Sequence, residues 1–191
     1  GLEGCFTDFL QNGITEQFFF SELAAAITQT ITHHSQYGRL YEVDSRLRPT
    51  GKSGALAVST NEFFRYFESG NGQLWERQAL CKARPVFGAG ANCERVKEVV
   101  QGIISDQVWL PDMASQIQSM RLAMQKDCSS RNLKRGSGGT VDVEFAIQML
   151  QLKYAKTNPE VLVPGTLEAI ERLELVGLLS SCLAERLRTG Y

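Results

Sequence analysis

Apolar positions recur at helical spacing over most of this chain. From Ile14 to about Ser35, Phe18, Leu23, Ala26, Ile27 and Ile31 fall near one stripe, and Thr15 stands where an N-cap is expected. Ser59 through Glu62 has the capping-box pattern and opens a helix bearing Phe63, Phe64, Tyr66 and Phe67. That aromatic cluster reads as core, since no basic residues pair with it as a nucleic-acid platform would require. Ser69-Gly70-Asn71-Gly72 breaks it. Trp75 to Arg84 resumes helical spacing, with Glu76, Leu80 and Ala83 in one row and Arg77 and Arg84 two turns apart on a common face. Residues 91–104 and 112–127 predict amphipathic helices. Thr140 caps a strong helix from Val141 to about Lys156, with Val143, Ile147, Leu150 and Tyr154 as its apolar row. Thr157 to Gly165, with two prolines, is a loop, and helices over 166–176 and 179–188 complete the pattern.

One stretch follows the other period. In Leu40-Tyr41-Glu42-Val43-Asp44-Ser45-Arg46-Leu47-Arg48-Pro49, strand alternation puts Tyr41, Val43, Ser45 and Leu47 on a core face. Glu42, Asp44, Arg46 and Arg48 share the other. Four consecutive charged positions of ordered sign suggest an edge that holds a cation and an anion together. Pro49 ends the strand, and 50–54 is a turn by composition. Ala55 to Val58 fits a partner strand, so a hairpin is expected. Two strands alone make no stable sheet, so either other strands occur in the chain or part of the sheet lies outside it. The expected fold is therefore α+β: residues 1–90 as one domain, then 91–191 as an all-helical one, with the boundary near Gly88-Ala89-Gly90-Ala91.

Composition narrows the function classes. Of the 191 residues, 43% are hydrophobic and 21% charged, a globular balance. The formal charge of −1 argues against broad electrostatic binding to nucleic acid. No apolar run reaches the length of a membrane span, and Gly1 to Gly13 reads as a loop rather than an export signal. Cys5, Cys81, Cys93, Cys128 and Cys182 are widely spaced with no CxxC, which suits free thiols in a reducing cytoplasm. His33 and His34 are adjacent and have no third metal-ligating partner in sequence; a solvated helix end accounts for them.

Several residues carry candidate chemistry. Gly51-Lys52-Ser53 imitates a phosphate loop but lacks the earlier glycine and the following helix that one needs. Arg77 and Arg84 are placed either to reach a phosphate-bearing ligand or to anchor Glu42 or Asp44. Lys134-Arg135-Gly136, with Gly138 and Gly139, forms a basic glycine-rich connector; Lys134 either approaches a nucleotide or sits on a flexible linker. Asp142 and Glu144 lie in the first turn of the following helix, where they complement its dipole and oppose a phosphate seated on that end. Nucleotidyl transfer needs carboxylates to hold magnesium and cations to steady the phosphates. The charged face supplies Asp44, Glu42, Arg46 and Arg48, but Asp8, Asp106 and Asp112 give no second carboxylate pair.

Tyr41 to Pro49, then Gly51, Gly54 and Leu56, then Trp75-Glu76-Arg77-Gln78-Ala79-Leu80 with Ala83-Arg84, then Gly138-Gly139-Thr140-Val141-Asp142-Val143-Glu144-Phe145 with Gln148, closely resemble the glutamine synthetase adenylyltransferase family. The resemblance runs from about Phe18 to the C-terminus. It implies a nucleotidyltransferase domain of the DNA polymerase β type followed by a helical domain, using magnesium and ATP. Such proteins carry one unit that attaches AMP to a tyrosine of glutamine synthetase and another that removes it by phosphorolysis. The Glu-Val-Asp stretch, Gln78 and Tyr154-Ala155 resemble the attaching, C-terminal unit more closely. Asp44, with Glu42 as a possible second ligand, would hold metal, and Arg46 and Arg48 would lie near the phosphates. Arg77, Arg84 and Lys134 would be further nucleotide contacts. Glutamine synthetase and the PII signal protein are the implied partners. The family's other two metal carboxylates belong to an upstream Asp-x-Asp motif that this sequence does not contain. The expectation is thus a fragment, inactive by itself. Removal of AMP, or a non-catalytic module binding glutamine synthetase or PII, are the alternatives.

Overall fold

The computed structural model describes residues 15–39, 41–126, 128–129 and 131–191. The N-terminal loop, Cys5, Asp8, Ile14 and Leu40 lie outside the described residues. Two compact units divide between Ser69 and Gly70. The sequence reading put the domain boundary at 90/91.

In the first unit, α1 spans Glu16–Thr32, and Thr15 caps it by accepting from the Phe18 amide at 3.3 Å. No side chain of α1 is buried; Phe18, Leu23 and Ile27 of the expected stripe are all exposed. Helix α2, Thr60–Glu68, has the predicted capping box: Ser59 accepts from the Glu62 amide and the Glu62 carboxylate accepts from the Ser59 amide. Its aromatic residues pack edge to face, Phe63 on Phe67 at 5.3 Å and Tyr66 on Phe67 at 5.2 Å, and Phe67 is buried.

The predicted hairpin does not form. Among the described residues there is no strand, only an isolated antiparallel bridge between Ser35 and Gly38. Residues 41–46 and 55–58 belong to no regular element, and Tyr41, Val43 and Leu47, the expected core face, are exposed. The reason is local bonding. Arg48 N bonds to Arg46 O, Gly51 N to Arg48 O and Gly54 N to Gly51 O, so the chain closes on itself where a ladder would run. A 3-10 turn over Gly51–Ser53 results. The described architecture is all-helical, and the β-containing half expected from alternation is corrected accordingly.

In the second unit, α3 spans Leu74–Leu80, α4 Gly90–Ser105, α5 Met113–Gln125, α6 Thr140–Tyr154, α7 Thr166–Leu175 and α8 Ser181–Gly190. Helix α6 packs with each of the other five and with the 3-10 turn Pro159–Val161. Its sequence explains this position: Val141, Val143, Ile147, Gln148, Gln151 and Leu152 are buried along one half of the helix, and within 140–154 only Lys153 is exposed. Val143 and Ile147 join Val161, Ala169, Ile170, Leu173, Leu179 and Ala184 in one core, with Leu150 packed against it. Gln151 donates to the Val161 and Val163 carbonyls at 2.7 and 2.9 Å, tying the 159–163 loop to α6. Helix α7 closes at Gly177, whose φ of +75° suits a residue without Cβ, and Ser180 then caps α8. No described helix is long and apolar enough to cross a membrane.

Candidate functional site

The charged stretch of the first unit is paired internally. Arg46 grips Asp44 with Nε at 2.8 Å and Nη2 at 2.5 Å, and its own amide donates to Asp44 at 3.1 Å. These hydrogen bonds hold the Asp44 carboxyl down at about 2, so it is an anion across the physiological range. Glu42 pairs with Arg39 at 2.8 Å instead of facing Asp44. Arg48 turns inward: Nε and Nη2 donate to the Gly54 and Lys52 carbonyls at 3.2 Å, and Nη1 to the Ser45 carbonyl. It organises the 45–54 turn. A Cβ at Gly54 would come within 2.1 Å of the Pro49 carbonyl oxygen, so this path requires glycine there. The four charged residues thus form two exposed ion pairs and one turn anchor; the single four-membered face is not observed.

Arg77 and Arg84 also part company. Helix α3 ends at Leu80, where Lys82 N bonds to Ala79 O and Ala83 N to Leu80 O. Arg84 therefore lies beyond the helix and is exposed, whereas Arg77 is buried and donates to the Ile103 carbonyl of α4. No group of three or more His, Cys, Asp or Glu side chains able to hold a metal occurs among the described residues. Asp44, exposed and ionised, fits as a single hard oxygen ligand for magnesium, which commonly keeps several waters and takes its remaining ligands from phosphate. Its Arg46 contacts would have to open first.

The basic connector is ordered around a buried arginine. Arg121 on α5 is 5% exposed. Its Nη2 donates to the Arg135 and Gly136 carbonyls at 3.0 and 2.9 Å, and its Nε lies 2.6 Å from Asp142 Oδ1. The other Asp142 oxygen accepts from the Gly138 amide at 2.6 Å. Two glycines are indispensable to this path. A Cβ at Gly136 would come within 2.6 Å of the Asn132 carbonyl oxygen, and one at Gly139 within 2.6 and 2.7 Å of the Leu133 and Lys134 carbonyl oxygens. The predicted cap shifts by one position: Gly139 is the N-cap, and Thr140 begins the helix. Lys134 and Arg135 remain exposed.

Two polar pairs join α3 to α6. Gln78 Nε2 donates to Gln148 Oε1 at 3.0 Å, and in the turn just past α3 Lys82 Nζ meets Glu144 Oε1, one helical turn before Gln148, at 2.5 Å. Of the two acids expected in the first turn only Asp142 lies there, and Glu144, beyond it, pairs with Lys82. Sequence reasoning missed Arg121 although a signal was present: it continues the buried row Met113, Ile117 at a spacing of four. A cation in an apolar row asks for an anion or carbonyls. Cys81 is another buried group, and desolvation pushes its thiol up to about 12, which makes it inert.

Comparison with known proteins follows the same division of motifs. Residues 7–99 match the family model of glutamate-ammonia ligase adenylyltransferase, and residues 112–191 match that of GlnD PII-uridylyltransferase. Among curated relatives, the bifunctional glutamine synthetase adenylyltransferase/adenylyl-removing enzyme of Thioalkalivibrio sulfidiphilus is 38% identical over 84% of this chain and 17% of its own length. The same-named enzyme of Idiomarina loihiensis is 36% identical over 79% of the chain and 16% of its own. That of Pseudomonas syringae pv. tomato is 30% identical over 91% and 19%. The chain spans less than a fifth of the length of these relatives. With identity of 30–38% to these relatives sustained over most of its length, the chain belongs to the glutamine synthetase adenylyltransferase family.

Proposed function

We propose that this chain serves a protein nucleotidyltransferase that moves AMP from ATP to a tyrosine of glutamine synthetase. The observation that carries the reading is Asp44: an exposed carboxylate, kept ionised by Arg46, within the Val-Asp-Ser-Arg-Leu-Arg-Pro stretch of a chain from this family. Asp44 is assigned to magnesium, with Glu42 as a secondary candidate. Bound magnesium supplies charge neutralisation of the triphosphate. Arg46 is exposed and is assigned to the phosphates once it releases Asp44. Arg48 serves that site by shaping backbone, since it spends its donors on the Gly54, Lys52 and Ser45 carbonyls. A partial nucleotidyltransferase domain of the polymerase β type, a cytoplasmic location, PII as a second partner and no nucleic-acid partner complete this reading.

The reading includes inactivity of these 191 residues by themselves, because among the described residues no third carboxylate joins Asp44 and Glu42 to make the three-carboxylate site that the family resemblance implies. Robust labelling of glutamine synthetase by this chain with ATP and magnesium would overturn that part. In a protein of the relatives' full length carrying this chain, Asp44→Asn abolishes labelling while circular dichroism stays unchanged. Retained transfer removes Asp44 from the metal site. The relatives' names include adenylyl removal, which makes that activity the second reading; phosphate-dependent release of ADP from modified glutamine synthetase identifies it.

A further inference from the structure

The start of α6 gathers cations around one carboxylate. Lys82 Nζ lies 2.5 Å from Glu144 Oε1 and 3.5 Å from Thr166 Oγ1, and the Tyr191 hydroxyl donates to the same Glu144 oxygen at 2.9 Å. Lys134 arrives from the connector: its carbonyl accepts from the Val141 amide at 3.1 Å, one helical turn before Glu144. Burial tends to raise the Glu144 carboxyl, yet the Lys82 and Tyr191 hydrogen bonds and the charges of Lys82 and Lys134 bring it below its ordinary value. Four elements thus meet here: the end of α3, the connector with α6, the start of α7, and the end of α8.

Charge accounting shows a surplus. Arg121 and Asp142 neutralise each other, as do Lys82 and Glu144, which leaves Lys134 and Arg135 without an ion pair among the described residues. The backbone donors of the helix start are already used: the Thr140, Val141 and Asp142 amides bond to the Leu133, Lys134 and Gly139 carbonyls. An anion here must therefore be held by side chains. A merely solvated lysine needs no fixed backbone. Lys134 has one, set by a buried arginine and two glycines that tolerate no Cβ.

We propose that Lys82 and Lys134, with the Tyr191 and Thr166 hydroxyls, form a binding site for a phosphoryl anion, in which Glu144 is the internal competitor for the cations. This deepens the proposed function only in reading Lys134 as a phosphate contact; it concerns the helical unit alone and requires no AMP transfer. Isothermal titration of this chain with inorganic phosphate, tripolyphosphate and ATP tests it. Binding of phosphate itself identifies a free phosphate ligand, whereas binding of tripolyphosphate and ATP alone identifies a polyphosphate chain. Lys134→Gln weakens the binding about tenfold or more, the loss expected for one charge-assisted contact. Because the Lys134 side chain makes no hydrogen bond or ion pair among the described residues, that variant folds normally, as circular dichroism checks. Glu144→Gln strengthens binding. No binding of any of the three anions overturns the site, and so does binding that Lys134→Gln leaves unchanged. Phosphate binding by this chain, with no transfer by a protein of the relatives' full length that carries it, refutes the functional reading and leaves this one standing.

Discussion

Replacing Arg121 by methionine keeps the aliphatic packing of the side chain and removes only the guanidinium. Two donations are lost, a part-buried one to the Arg135 carbonyl and a buried one to the Gly136 carbonyl, together with the contact to Asp142. Hydrogen bonds from a charged donor contribute about 1.5–3 kcal/mol each. The Asp142 side chain is 36% exposed and keeps the Gly138 amide, so screening limits its pairing to about 1 kcal/mol or less. The expected cost is about 4 kcal/mol, or a fall in Tm of about 12–16 °C for a unit of this size. Arg121→Lys retains the charge but loses the fork, and costs about half as much. Asp142→Asn keeps an acceptor for Gly138 and costs about 1 kcal/mol. Urea and thermal unfolding followed by circular dichroism measure all three. If Arg121→Met lies within about 1 kcal/mol of the parent, or Asp142→Asn costs as much as Arg121→Met, the connector is not held by Arg121 and the reasoning fails.

Two further outcomes are expected. The Asp44 carboxyl, followed by NMR, titrates at about 2 instead of its ordinary 3.8, and Arg46→Gln returns it toward that value. Because the folded value is the lower one, the pairing contributes fully above pH 3.8 and is lost as pH falls through about 2; a midpoint unchanged by Arg46→Gln would contradict the clamp. Among the glycines, Gly139→Ala forces a Cβ against two carbonyl oxygens and destabilises by about 2–4 kcal/mol, whereas Gly90→Ala, in open helical space, is neutral or stabilising by up to about 1 kcal/mol. Equal melting temperatures for the two variants would show that the connector yields.

The helices were legible because their signals are local. The Thr15 cap, the Ser59–Glu62 capping box and the apolar rows of α4 to α8 are written in residues three and four apart, the distance at which helical side chains meet. The strand over 40–49 was misread for a matching reason. Alternation shows what a strand's two faces would be, but a strand exists only if another chain segment accepts its ladder bonds, and here local turn bonds through Arg48, Gly51 and Gly54 take them. Exposure of Val43 and Leu47 follows.

The candidate site divides along the same line. The amino-acid sequence by itself determined which groups carry charge, where the helices start, and that the Val-Asp-Ser-Arg-Leu-Arg-Pro and Gly-Gly-Thr-Val-Asp-Val-Glu stretches resemble one family. Which charges meet was decided only by tertiary structure. Arg46 closes on Asp44, Arg77 buries against α4, Arg121 reaches a connector fourteen residues away, and Lys82 finds Glu144 sixty-two residues on. Those last pairings depend on α6 packing among the other helices of its unit, and burial of an apolar surface carries no label saying which polar side chains it will bring together.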